Sequence, residues 1–177
     1  MKVTLICHGE TAGGGRLSAA GRLQVAALAR EIAALREHGA EIVELQTGPQ
    51  PASVETAAEI TEALGLGEAP VNAALAGPPD GDFLDPNALR ALTDRQERAW
   101  SLVEAQKDKH EATSTALLVT DELMVRVVVC RALSLPLSEM QRFCLEPASL
   151  TTIEFRGPRT LIAVLNETCH LEQAESK

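Results

Sequence analysis

Residues Lys2 to Cys7 form an apolar, β-branched run in which neighbouring positions of both parities are suited to burial. A strand of that kind needs cover on both faces, as in a parallel sheet sandwiched between helical layers. The rest of the chain supplies both strands and covering helices. A glycine-rich turn (Gly9, then Gly13-Gly14-Gly15) leads to Ser18, an N-cap for a helix reaching about Glu37, with Gly39 as its stop signal. EIVELQ (41–46) reads as a second strand, and a helix is expected from Pro51 to Leu64. A weak strand is expected near Pro70–Asn72, then a proline- and glycine-rich loop from Ala76 to Pro86 and a polar amphipathic helix over 87–109. TALLVT (115–120) is a buried strand, followed by an apolar helix over 122–133 and a small helix within 135–142. Residues 150–155 and 160–165 alternate as a hairpin turned at Arg156–Arg159.

Strands alternating with helices in this way predict a three-layer α/β/α sandwich around a mostly parallel sheet, as a single domain over 1–177. With 45% hydrophobic residues, one Trp, three Phe and no Tyr, the core must be aliphatic. The same scarcity of aromatics leaves no stacking surface for single-stranded nucleic acid, and a net charge of −9 opposes binding to a polyanion. MKVTLIC is too short for a signal-peptide core, and no stretch approaches the roughly 20 apolar residues of a membrane helix. A cytoplasmic protein is therefore expected. The four cysteines (Cys7, Cys130, Cys144, Cys169) show neither CxxC pairing nor metal-ligand spacing.

In an open α/β sheet, ligands bind beyond the carboxyl ends of the strands. Three such ends carry chemistry: Cys7-His8-Gly9-Glu10-Thr11, Thr47-Gly48-Pro49, and Thr120-Asp121-Glu122. The first resembles the RHGET motif of the histidine phosphatase (phosphoglycerate mutase-like) superfamily, with Cys7 in the arginine position. Leu17-Ser18-Ala19-Ala20-Gly21-Arg22-Leu23-Gln24 is similar to the L-T-x-x-G-x-x-Q helix start. The stretch from Thr47 to Ala57 resembles the S-S-P-L-x-R-A-x-x-T-A block, with Ala52 at its arginine. Asp121–Arg126 falls on H-G-x-x-x-R, and Asn166–Leu171 on the closing N-x-T-x-H-L, whose His170 is read as structural. Five motifs in order span nearly the whole chain.

The resemblance implies phosphoryl transfer to a histidine, which needs a neutral imidazole in line with phosphorus, cations on the phosphate oxygens and a proton donor. His8 keeps the nucleophile position. Both clamp arginines are replaced, by Cys7 and Ala52; the second histidine is Asp121, and Leu75-Ala76-Gly77 stands where the loop acid is expected. At about 4 Å and an effective dielectric of 20, Asp121 and a phosphate charge would repel by about 4 kcal/mol. Phosphate binding then requires Arg16, Arg22 or Arg126 to reach inward.

The expectation is a degenerate family member acting as a binding or regulatory module. Its pocket would comprise Cys7, His8, Gly9, Glu10, Thr11, Ala52, Asp121 and Glu122, and it would take an unidentified small molecule or protein, or pair as a homodimer. No cofactor is expected. The alternatives are a residual phosphomonoester hydrolase with His8 as nucleophile, or a metal site at His8 and Asp121. Local explanations also exist: His8 bonding Asp121 or backbone, Asp121 and Glu122 capping a helix, Arg126 pairing with a carboxylate, and Gly13–Gly15 as a plain turn. Asp80, Asp82 and Asp85 read as solvated coil rather than a calcium loop.

Overall fold

A computed structural model describes residues 1–77 and 86–175. Five strands, β1 (Lys2–Cys7), β2 (Ile42–Thr47), β3 (Thr115–Thr120), β4 (Leu150–Arg156) and β5 (Arg159–Glu167), form one sheet in the order β2-β3-β1-β4-β5. The helices are α1 (Ala19–Glu37), α2 (Pro51–Leu64), α3 (Pro86–Lys109), α4 (Glu122–Ala132) and α5 (Cys169–Glu175). Short 3-10 turns occur at Ala73–Leu75 and Leu137–Arg142.

Side-chain alternation on the central strands divides the interior in two. Val3 and Leu5 of β1, with Ala116 and Leu118 of β3, face Trp100 and Val103 of α3 and Met124, Val125 and Val128 of α4. Ile6, Leu117 and Val119 face Leu28 and Ile32 of α1 and Ile60 of α2. The strands are apolar on both parities because each face is roofed by a pair of helices. The three-layer expectation holds on this arrangement.

The sheet is mixed rather than mostly parallel. β1–β3 and β2–β3 are parallel, while β1–β4 and β4–β5 are antiparallel. The tight turn of the hairpin makes β4 and β5 antiparallel without a helical crossover, and β4 itself enters the sheet antiparallel to β1. The strand expected near 70–72 is reduced to a single parallel bridge between Val71 and Thr47. Pro70 has no amide hydrogen to extend that pairing. α5 was not expected from the sequence. Asp80, Asp82 and Asp85 lie outside the described residues. Among those described, no helix is long and apolar enough to cross a membrane.

Candidate active site

The carboxyl ends of β1, β2 and β3 lie side by side, so the segments that leave them converge. His8 is fixed by its backbone: its N–H donates to Thr120 O at 2.9 Å, and its carbonyl accepts from Ala148 N at 3.0 Å. Ala148 is fully buried with φ 59°, a left-handed conformation costly for a residue with a Cβ. Buried His170 steadies it by donating Nε2–H to the Ala148 carbonyl at 3.0 Å. The structural role expected of His170 thus takes a definite form, since it supports the residue that supports His8.

The His8 side chain bonds backbone rather than Asp121. Nδ1 lies 2.8 Å from the carbonyl of Gly9, which can only accept, so Nδ1 carries a proton, and in the neutral ring Nε2 keeps its lone pair. Gly9 is required by packing. A Cβ there would meet the Gly21 carbonyl at 2.6 Å and Val25 Cγ2 at 2.7 Å. Glu10 and Thr11 are exposed; Glu10 accepts from the Ser18 hydroxyl at 2.6 Å, and Thr11 pairs with Leu17 across the glycine turn.

Cys7 has Ser149, Glu122, Asp121 and Arg126 near its thiol. It is buried on the α3/α4 side of the sheet, and burial pushes its thiol up to about 12, so it is neutral and apolar in behaviour. Ala52 is buried against Leu17 and Val25, and its N–H donates to the Gly15 carbonyl at 3.0 Å. The glycine turn therefore closes over the position where the motif has its second arginine.

Asp121 is the N-cap of α4. Oδ1 accepts from Met124 N at 2.9 Å, and Oδ2 accepts from Gln50 Nε2 at 3.0 Å. Burial raises its pKa above the ordinary carboxylate value, opposed in part by the Met124 N–H and by the charge of nearby His8. A Cβ at Gly77 would stand 1.7 Å from Asp121 Oδ2. The carboxylate of Asp121 thus fills the room that a side chain at position 77 would use.

None of the three arginines considered as replacement clamps turns to His8. Arg16 Nη2 lies 2.5 Å and Arg22 Nη1 3.7 Å from the Glu55 carboxylate, which also accepts from Leu17 N at 3.1 Å. Arg126 pairs with Glu122 one turn earlier on α4. Among the described residues, no group of three or more His, Cys, Asp or Glu side chains is placed to hold a metal ion. His8 and Asp121 therefore lack a third such ligand there.

Three residues of this region were not singled out by the sequence: Gln50, Glu55 and Arg95. Arg95 of α3 donates Nη1–H to the carbonyls of Ala76 and Gly77 at 3.1 and 3.4 Å, pinning the segment against Asp121. Gln50 carried a signal, since it lies just past the end of β2. Glu55 and Arg95 sit at helix positions that periodicity alone marks as ordinary surface.

No curated protein sequence matches this chain. Solved structures do. A phosphoserine phosphatase of Entamoeba histolytica, solved with 3-phosphoglyceric acid, aligns with a TM-score of 0.77 at 19% identity, covering 96% of this chain and 98% of its own. A mycobacterial glucosyl-3-phosphoglycerate phosphatase aligns with a TM-score of 0.76 at 18% identity, over 95% and 99%. YhfR of Bacillus stearothermophilus gives 0.72 at 20%, over 96% and 98%. At such identities the likeness is one of fold. The sequence model of the histidine phosphatase superfamily (branch 1) matches residues 69–168, more than half the chain, from just before the Val71 bridge through the start of the closing signature. On that match, this chain belongs to the histidine phosphatase superfamily, branch 1.

Proposed function

We propose that this protein keeps the superfamily fold but has lost efficient phosphoryl transfer, and acts in the cytoplasm as a module that binds a small molecule or protein partner. The observation that carries this reading is the engagement of the three candidate clamps: Arg16 and Arg22 on Glu55, and Arg126 on Glu122. A phosphoryl group in transfer spreads negative charge over its oxygens, and catalysis rests on cations already aimed at them. Here the carboxylate of Asp121 stands near His8, and position 52 is a buried alanine. Loss of one oriented charge partner commonly costs about 10²–10³ in rate, and several are absent together.

One feature favours a second reading, a residual phosphomonoester hydrolase. The His8 tautomer leaves Nε2 free to attack phosphorus, and burial shifts the Asp121 carboxyl in the direction that a proton donor to a leaving oxygen needs. Phosphatases among the structural relatives make a phosphomonoester the substrate class to try.

Aryl phosphate hydrolysis by wild type, His8→Ala and the triple variant Cys7→Arg/Ala52→Arg/Asp121→His separates the two. Wild type and His8→Ala should be equally inactive, and the triple variant should gain activity. Because Ala52 is buried, vanadate binding to wild type serves as an independent measurement and should be absent. Turnover by wild type that disappears in His8→Ala would establish the second reading instead.

A further inference from the structure

The two edges of the sheet are finished differently. At the β2 edge, Thr47 N donates to Pro70 O at 3.0 Å and Asn72 N to Thr47 O at 2.8 Å, so a crossing segment covers one end of the strand. Glu44, midway along, is held by Lys109 and by His110. Charge and cover of this sort discourage pairing with another chain. The β5 edge has neither. From Thr160 to Leu165 it carries no charge and no proline, and Leu161, Val164 and Leu165 are 36%, 38% and 43% exposed. A long apolar strand with an open row of backbone donors and acceptors is a template for another strand.

The sequence of β5 indicates which strand. Read outward from Ala163, RTLIAVLNE is matched about its own centre: Ile162 with Val164, Leu161 with Leu165, Thr160 with Asn166, and Arg159 with Glu167. We propose that β5 is a homodimer interface, in which two copies pair antiparallel about a twofold axis through Ala163. A closed twofold contact requires each patch to complement itself. Here apolar side chains meet apolar ones, and each terminal cation meets the other copy's anion.

The backbone suits the same axis. Pairing with β4 slips between Thr152 (opposite Val164) and Ile153 (opposite Ile162), leaving Ala163 with no residue across from it. The resulting bend lies at the proposed centre, so both copies bend at the same point. Ala163, the smallest side chain of the strand, stands on the axis, where it faces its own copy. Ala163 and Val164 also line a groove of about 360 Å³ between α1 and the sheet, which extends the apolar contact toward Leu35. Asn166 turns to φ 53° and accepts from Glu146 N, so regular pairing ends at Leu165 and the Arg159–Glu167 contact is made by long side chains.

Sedimentation equilibrium on the full chain tests this. Wild type should be a dimer, and Ala163→Arg a monomer with an unchanged far-ultraviolet circular dichroism spectrum. Arg159→Glu should raise the dissociation constant at least about tenfold, because it sets like charges opposite each other. Ala163→Cys in a Cys144→Ser/Cys169→Ser background should give a disulfide-linked dimer on mild oxidation, since the axis brings the two thiols together. A wild type that stays monomeric at about 100 µM overturns the proposal, as does a dimer that survives Ala163→Arg or is broken by Val43→Lys at the opposite edge.

Discussion

The carboxylate of Asp121 is asked to do three things at once: cap α4, accept from Gln50, and sit buried beside His8. Burial outweighs the rest and raises its pKa. A carboxyl with a raised folded pKa binds more protons folded than unfolded, so stability is lost as pH climbs from the ordinary 3.8 through the folded value. Asp121→Asn removes the charge while its amide oxygen can still accept from Met124 N. Gln50 can accommodate the change, because its buried Oε1 has no partner and a flipped amide would offer it to the new Nδ2. The variant is expected to melt above wild type at pH 7, with the difference closing near pH 3.5; scanning calorimetry at both values checks this. A variant that melts lower at pH 7 would show that the charge itself supports the fold. Of these roles only the cap was legible in the sequence, which also showed Asp121 as a replaced histidine. Its burial depends on Gly77 and Gln50, 44 and 71 positions away.

Among elements, the first turn packs backbone to backbone against α1. A Cβ on Gly21 would stand 2.1 Å from the Glu10 carbonyl, and the Gly21 carbonyl in turn lies under Gly9. Ser18 caps the helix here by accepting from Gly21 N at 2.9 Å. Two glycines from separate motifs are thus one contact, and the sequence named both without being able to pair them. Gly21→Ala forces backbone apart and should cost about 1–3 kcal/mol in urea unfolding. Gly13→Ala, with nothing within 4 Å of its new Cβ, should be close to neutral. Equal effects would mean that the turn and the helix move apart freely. Other elements were legible because long periodic runs over-determine them: β1, β3, α1 and α4 fall within a residue or two of expectation. α5 was missed because it is short and polar, starting directly after the Asn166 turn. The sequence anticipated the pairing of Arg126 with a carboxylate, but it left open where Arg16 and Arg22 turn, for a related reason. Side chains one helical turn or one loop away compete for them, and Glu55 takes two.

At the scale of the molecule, two cores share the central strands. β3 supplies Ala116 and Leu118 to one side and Leu117 and Val119 to the other, so neither layer can loosen without disturbing the strand both share. The single tryptophan, Trp100, reports from the α3/α4 side, where it packs against Phe155 with ring centroids 6.3 Å apart. Ile60, fully buried on the α1/α2 side, offers a perturbation that cannot touch it directly. Ile60→Ala removes buried methyl groups and should cost about 2–5 kcal/mol. If the sheet couples the layers, the Trp100 fluorescence transition in urea moves by the full amount and stays superimposed on the far-ultraviolet dichroism transition, at matched protein concentration so that any dimer weighs equally. Separation of the two curves, with tryptophan holding while dichroism falls, would mean that the α1/α2 layer unfolds alone. That layer carries the glycine turn and Ala52, so independent unfolding would expose the end of β1 and make the closure over position 52 a reversible state.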